Sequence, residues 1–184
     1  MLRIVGVCAA VLSLTACAPD GPPPPRVSSV IEGLGDDGAC ELVSDAAVEK
    51  ALAVETTGKR GMRHGRVQTV LTYECTYDRA IPSLQISVSS TYPEQSDQEI
   101  LDRWFRDRSK QDRPVTEYED VPDLGTSARL GPIPHYALFR KHWQLVALCE
   151  VEGERLLLVL KVYSVADGDP LRGLARDAIS ALAG

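Results

Sequence analysis

Two stretches decide how this chain folds: residues 143–151, Trp143-Gln144-Leu145-Val146-Ala147-Leu148-Cys149-Glu150-Val151, and residues 155–164, Arg155-Leu156-Leu157-Leu158-Val159-Leu160-Lys161-Val162-Tyr163-Ser164. Leu156 to Leu160 is an unbroken apolar run between Gly153 and Gly168, the pattern of a short strand buried on its faces. Glu152-Gly153 supplies the turn between the two stretches, so they pair antiparallel. Upstream, Ser127–Leu130 and Tyr136–Lys141 extend the series, with Gly131-Pro132 as a further turn. These four segments predict an antiparallel meander.

Helical spacing appears on both sides of it. After Asp169 as N-cap and Pro170 at the first helical position, Leu171, Leu174, Ala175, Ala178, Ile179 and Leu182 form one apolar stripe, a helix lying across the sheet. Ser96-Asp97-Gln98-Glu99 is a capping box that opens a second helix bearing Ile100, Leu101, Trp104 and Phe105, with Trp104 read as a core anchor. A third runs from the N-cap Ser44 to about Leu52, with Val43 and Val48 as a hydrophobic staple. Between them, Val67–Tyr77 and Leu84–Ser90 alternate as a hairpin around Pro82-Ser83. Val115–Val121 predicts a short edge strand before the turn Pro122-Asp123-Leu124-Gly125. Strands and helices in blocks imply one α+β domain, an antiparallel sheet with helices packed on one face.

The N-terminus has a different character. Met1-Leu2-Arg3 and the apolar run Ile4–Leu14, too short to span a bilayer permanently, read as an export signal. The run ends in Leu14-Thr15-Ala16-Cys17, which resembles a bacterial lipobox. That resemblance implies cleavage after Ala16 and a diacylglyceryl thioether on Cys17, anchoring the protein by at least two acyl chains on the outer face of the cell membrane. Residues 1–16 are then a signal peptide, 17–39 a stalk and 40–184 the extracytoplasmic domain. Pro22–Pro25 favours extended polyproline II, which suits a spacer.

Composition narrows the function classes. Of 184 residues, 44% are hydrophobic and 25% charged, which excludes a disordered, collagen-like or multi-span membrane chain. The formal charge is −6, and −7 once Arg3 leaves with the leader, which argues against general binding of nucleic acid. The local exception is Glu55–Arg66, where Lys59, Arg60, Arg63 and Arg66 lie among glycines, read as a basic hairpin-tip loop and a possible anion contact. It lacks the spacing and hydroxyl of a phosphate-binding loop.

Five cysteines are present; Cys8 lies in the leader and Cys17 in the lipobox, leaving Cys40, Cys75 and Cys149. An oxidising compartment favours pairing, and three cysteines permit three pairings with one left over. Cys149 sits in a strand-like run and reads as a buried structural thiol, since strand geometry keeps His142 over 20 Å away. The cysteines and His64, His135 and His142 show no metal-ligand spacing, and no cofactor motif occurs. Neither G-x-S-x-G, S-x-x-K nor H-E-x-x-H is found, and Glu117, Glu119 and Asp120 read as a solvated edge strand.

With the element order established, Cys40-Glu41-Leu42-Val43 and Glu74-Cys75-Thr76-Tyr77 resemble the C-x-L-L and C-x-W pair of a large family of uncharacterised actinobacterial lipoproteins. Val121-Pro122-Asp123-Leu124-Gly125-Thr126-Ser127-Ala128 is similar to that family's V-x-G-L-G-x-x-A step, with Asp123 in place of a glycine and Tyr77 in place of the tryptophan. The resemblance covers Cys40 to Leu182. It implies a Cys40–Cys75 disulfide, a positive φ at Gly125 and tight packing at Ala128, but no reaction. The expected function is a non-catalytic binding or accessory module for an envelope ligand, a small molecule or a membrane-protein partner. The alternative is a cell-wall-acting hydrolase with an unrecognised site.

Overall fold

The computed structural model describes residues 29–56, 58–67, 70–77, 82–91, 94–107, 113–114, 117–133 and 142–184. Its centre is the predicted hairpin, β8 (His142–Val151) with β9 (Glu154–Tyr163), closed by Glu152 and Gly153 at φ 51° and 76°. Two consecutive positive φ values make the primed turn whose twist matches that of the flanking strands. Outward from this pair, the sheet runs β1 (Lys59–Val67), β2 (Val70–Tyr77), β3 (Ser83–Ser90), β9, β8, β7 (Ser127–Pro132) and β6 (Glu119–Asp120), with every neighbour antiparallel. A separate two-residue ribbon pairs β4 (Arg106–Asp107) with β5 (Arg113–Pro114).

Strand parity sorts the side chains. Leu145, Ala147, Cys149, Leu156, Leu158 and Leu160 share one face with Tyr73, Cys75, Ile86 and Val88 from β2 and β3. That face is covered by α1 (Ser29–Gly33), α2 (Gly38–Glu41), α3 (Asp45–Leu52) and α5 (Pro170–Leu182), the last burying Leu171, Leu174, Ala175, Ala178 and Leu182. Each fully buried aliphatic side chain contributes roughly 1.5–3 kcal/mol. The intervening residues Val146, Leu148, Leu157 and Val159 point the other way and meet Ile100, Leu101 and Phe105 from the α4 segment (α4, Asp97–Trp104). The α+β class and antiparallel sheet are as expected; packing on one face holds for four helices, while α4 lies against the other. The unbroken apolar run of β9 carries the physical reason, because a strand apolar at every position needs cover on both sides.

Polar contacts hold α4 in place. Arg129 on β7, 4% exposed, donates to Asp102 Oδ1 of α4 at 2.6 Å and to Asp120 Oδ1 of β6 at 2.9 Å, with its guanidinium 4.3 Å from the Tyr118 ring. Arg155 on β9 donates to Thr91 Oγ1, Asp97 Oδ1 and the Gln95 carbonyl, fixing the start of the helix. The Ser96–Glu99 capping box is present, and its hydrogen bonds hold the Glu99 carboxyl below the usual range. Ser44 likewise caps α3 through Ala47 N–H. Asp169 precedes Pro170 as expected, yet its side chain makes no cap bond and lies 3.5 Å from Arg172 instead.

Two expectations are corrected. The residues between Gly58 and Arg66 are not a hairpin-tip loop: from Lys59 they form β1, paired with β2 from Lys59↔Tyr77 to Val67↔Val70. Nor does the folded unit begin at Cys40, since residues 29–39 supply α1 and the start of α2 and bury Ile31 and Ala39 completely. Val30, Ile31 and Leu34 span barely one helical turn among acids and glycines, too short a stretch for a periodic signal, so their packing in the assembled core shows their role. The expected strand Tyr136–Lys141 and everything before Ser29, Cys17 included, lie outside the described residues.

Candidate functional site

The basic strand and the disulfide fall together. Cys40 at the end of α2 is bonded to Cys75 in the middle of β2, and Cys75 lies directly across from Gly61 of β1. A β-carbon on Gly61 would stand 2.6 Å from both Asp36 O and Asp37 Oδ1, so the absent side chain lets the turn before α2 settle on the strand. The alternation of β1 then splits the cationic cluster. Lys59 and Arg63 share the helix face with Gly61, whereas Arg60 and Met62 lie on the opposite one. Lys59 Nζ donates to Asp45 Oδ1 at 2.9 Å and to the Cys40 carbonyl at 3.4 Å, while Arg63 sits 5.8 Å from the Tyr73 ring. The side chain of Arg66 lies outside the described residues. The described cations are therefore divided, Lys59 and Arg63 on one face and Arg60 on the other, and do not converge on one anion.

Beyond Arg60 and Met62, the same face continues as a row of polar residues over the half of the sheet that, among the described residues, no helix covers. Thr72, Glu74 and Thr76 of β2, Gln85 and Ser87 of β3, and Lys161 and Tyr163 of β9 follow in register, and Gln144 of β8, buried under α4, ends the row. Tyr163 O–H donates to Gln85 Oε1 at 3.2 Å, and Gln144 Nε2 donates to the Trp104 carbonyl at 3.0 Å. Lys161 Nζ lies 5.3 Å from the centre of the Trp104 ring; burial pushes its pKa down and the Glu74 charge pushes it back up. Trp104 is thus a partly buried support for α4 whose ring also faces a cation.

Other reactive side chains are placed apart. Cys149 is buried on the helix face with Sγ 4.0 Å from the Leu156 carbonyl, and burial alone raises its thiol to about 11. His142 occupies the far end of the same strand and the opposite face, where Nδ1 accepts from Ser164 N–H. The two groups expected not to meet do not meet. Glu119 pairs with Arg172 and Asp120 with Arg129, so the exposed acids of β6 are held in structural ion pairs. No group of three or more His, Cys, Asp or Glu suited to a metal ion occurs among the described residues, and no helix there is long and apolar enough to cross a membrane. A cleft on the solvent side of α4 is lined by Gln95, Glu99, Asp102, Arg103 and Arg106, all polar, and lacks the apolar walls of a small-molecule site.

The Cys149 environment makes a direct prediction. At neutral pH a thiol raised to about 11 is almost wholly protonated and shielded, so iodoacetamide should leave Cys149 unmodified in the folded protein. Denaturation without reductant should expose Cys149 to alkylation while Cys40 and Cys75 stay blocked, as read by peptide mass spectrometry. Rapid labelling of the native thiol would contradict its burial.

The class these features define is a disulfide-bonded α+β domain with a basic edge strand and a row of polar residues on the sheet face beyond α4. Comparison with known proteins adds nothing to that: no protein-family model, curated protein or solved structure matches the chain.

Proposed function

We propose that this protein is a lipid-anchored lipoprotein of the bacterial cell envelope whose domain acts as a non-catalytic binding or accessory module for an envelope ligand or membrane-protein partner. The observation that carries the reading is Leu14-Thr15-Ala16-Cys17 at the end of a short apolar run, followed by a proline-rich segment. The Cys40–Cys75 disulfide supports it, since such bonds persist in oxidising compartments outside the cytoplasm. The accessory role is supported by where the reactive groups sit: the buried thiol, His142 and the β6 acids are apart from one another and engaged in structural contacts.

Replacing Cys17 with alanine tests the anchor. The unaltered chain should sediment with membranes and incorporate radiolabelled fatty acid, and Cys17→Ala should abolish the label and release the protein by mild washing. Unchanged membrane retention of the unlabelled variant would overturn the lipoprotein reading.

A further inference from the structure

We propose that the sheet face beside Trp104 binds a saccharide carrying a single carboxylate, with the Lys161 ammonium as the group that reads its charge. This names a ligand class for the binding-module reading above and rests on it. Lys161 stands in one transverse row across four strands, in which Thr76 of β2, Gln85 of β3, Lys161 of β9 and Gln144 of β8 pair in turn. Its Nζ lies 5.3 Å from the centre of the Trp104 ring, at the step where α4 ends. Among the described residues that ammonium makes no hydrogen bond or ion pair: its neighbours in the row are neutral amides, and Glu74 acts on it only as a nearby charge. Lys161 is only partly exposed, and burial pushes its pKa down. A half-buried cation without a counter-ion gains more from a ligand's charge than a fully solvated one does, because water screens an exposed pair.

The groups around Lys161 select the rest of the ligand. Gln85 Oε1 accepts from Tyr163 O–H, so its Nε2 is the end left to donate to a ligand. Thr76 Oγ1 donates to Glu74 Oε1 and keeps lone pairs with which to accept, and Ser87 adds a second hydroxyl on β3. Thr76, Gln85 and Ser87 are all partly exposed. Neutral donors and acceptors around one cation suit the hydroxyls and the lone carboxylate of an acidic sugar. A polyanion is unsuited, because its further charges meet Glu74 and a chain of formal charge −6. A lipid headgroup is the wrong source of the anion. Ser29, where the described chain begins, is held by Glu154 at the hairpin end of β9, and Lys161 lies further along that strand, roughly 23 Å from Glu154 at strand rise. A domain tethered through Ser29 therefore holds this row away from its anchor.

The full chain in mild detergent is titrated with the disaccharide of glucuronic acid and N-acetylglucosamine, with its methyl ester, which keeps the shape and removes the charge, and with glycerol phosphate as the headgroup of an anionic lipid. The acid should bind and shift the Gln85 side-chain amide and Trp104 indole signals in nuclear magnetic resonance. The ester and glycerol phosphate should each bind at least about tenfold more weakly, the effect of one hydrogen bond between charged groups. Lys161→Met, which keeps the apolar stem, should weaken the acid at least about tenfold and leave the ester unchanged, whereas Lys161→Arg should keep the preference for the acid. Should Lys161→Met lose its far-ultraviolet circular dichroism, acid against ester on the unaltered chain decides. No binding of the acid, equal binding of the ester, equal or tighter binding of glycerol phosphate, or signal changes that spare Gln85 and Trp104 each overturn the proposal. A chain that reaches the membrane through Cys17 yet ignores all three compounds keeps the lipoprotein reading and loses this one.

Discussion

Opening the Cys40–Cys75 disulfide, by reductant or by the double variant Cys40→Ala, Cys75→Ala, is expected to lower the unfolding free energy by about 2–5 kcal/mol. The two residues are 35 apart in sequence, and closing a loop of that length restricts the unfolded chain by about 4 kcal/mol on the entropy model. Native-state geometry points the same way. Helix α2 has four residues, far below the length at which a helix holds itself, and the bridge ties it to β2 beneath the α1 to α3 layer. Against a typical total of about 5–15 kcal/mol, the loss is a large fraction of all the stability present. Urea unfolding with and without reductant measures it, and a difference below about 0.5 kcal/mol would show that the bridge is dispensable.

Gly125→Ala is expected to cost about 2–5 kcal/mol, combining the penalty of a left-handed conformation with a steric overlap. Gly125 has φ +66°, and a β-carbon there would stand 2.1 Å from the Leu148 carbonyl oxygen. That oxygen accepts from Thr126 N–H at 2.7 Å and from Thr126 Oγ1 at 3.2 Å, so the turn cannot back away without breaking the contact that joins it to β8. Asp123, two residues earlier, also has a positive φ of 60°, but aspartate tolerates this region. Asp123→Gly should therefore change stability by no more than about 1 kcal/mol, because relieved strain is offset by a more flexible unfolded chain. Thermal melts of both variants test the pair; a Gly125→Ala protein as stable as the parent would refute the close approach to Leu148.

The turn Pro122-Asp123-Leu124-Gly125 thus holds two left-handed residues, Asp123 and Gly125, of which only the second is also closed in by β8. The hairpin turn at Glu152-Gly153, the Ser44 and Ser96 caps and the apolar stripe of α5 were all legible, because each depends on neighbours within a few residues. The basic segment was not. Gly58, Gly61 and Gly65 imitate a loop, and β1 is a strand because β2 beside it offers a ladder and because Gly61 admits Asp36 and Asp37 on top. Tyr77 gives a similar lesson: its O–H donates to the Val43 carbonyl at 3.1 Å, and burial with the nearby Asp45 raises its pKa to about 12, a role invisible without the fold.

What local sequence determined, then, was the central hairpin, the strands β2, β3 and β7 and the helices α3, α4 and α5, since hydrophobic period, capping and turn chemistry act over one or two turns of chain. Assembly decided the rest. It placed α4 on the opposite face from the other helices, drew residues 29–39 into the core, joined Cys40 to Cys75 and divided the arginines of β1 between two faces. These outcomes depend on which strands lie side by side, and strand neighbours here are as far apart in sequence as Ser83 and Tyr163. Pairing at that distance is selected by the collective fit of buried surfaces and ladders, which no short stretch of residues contains.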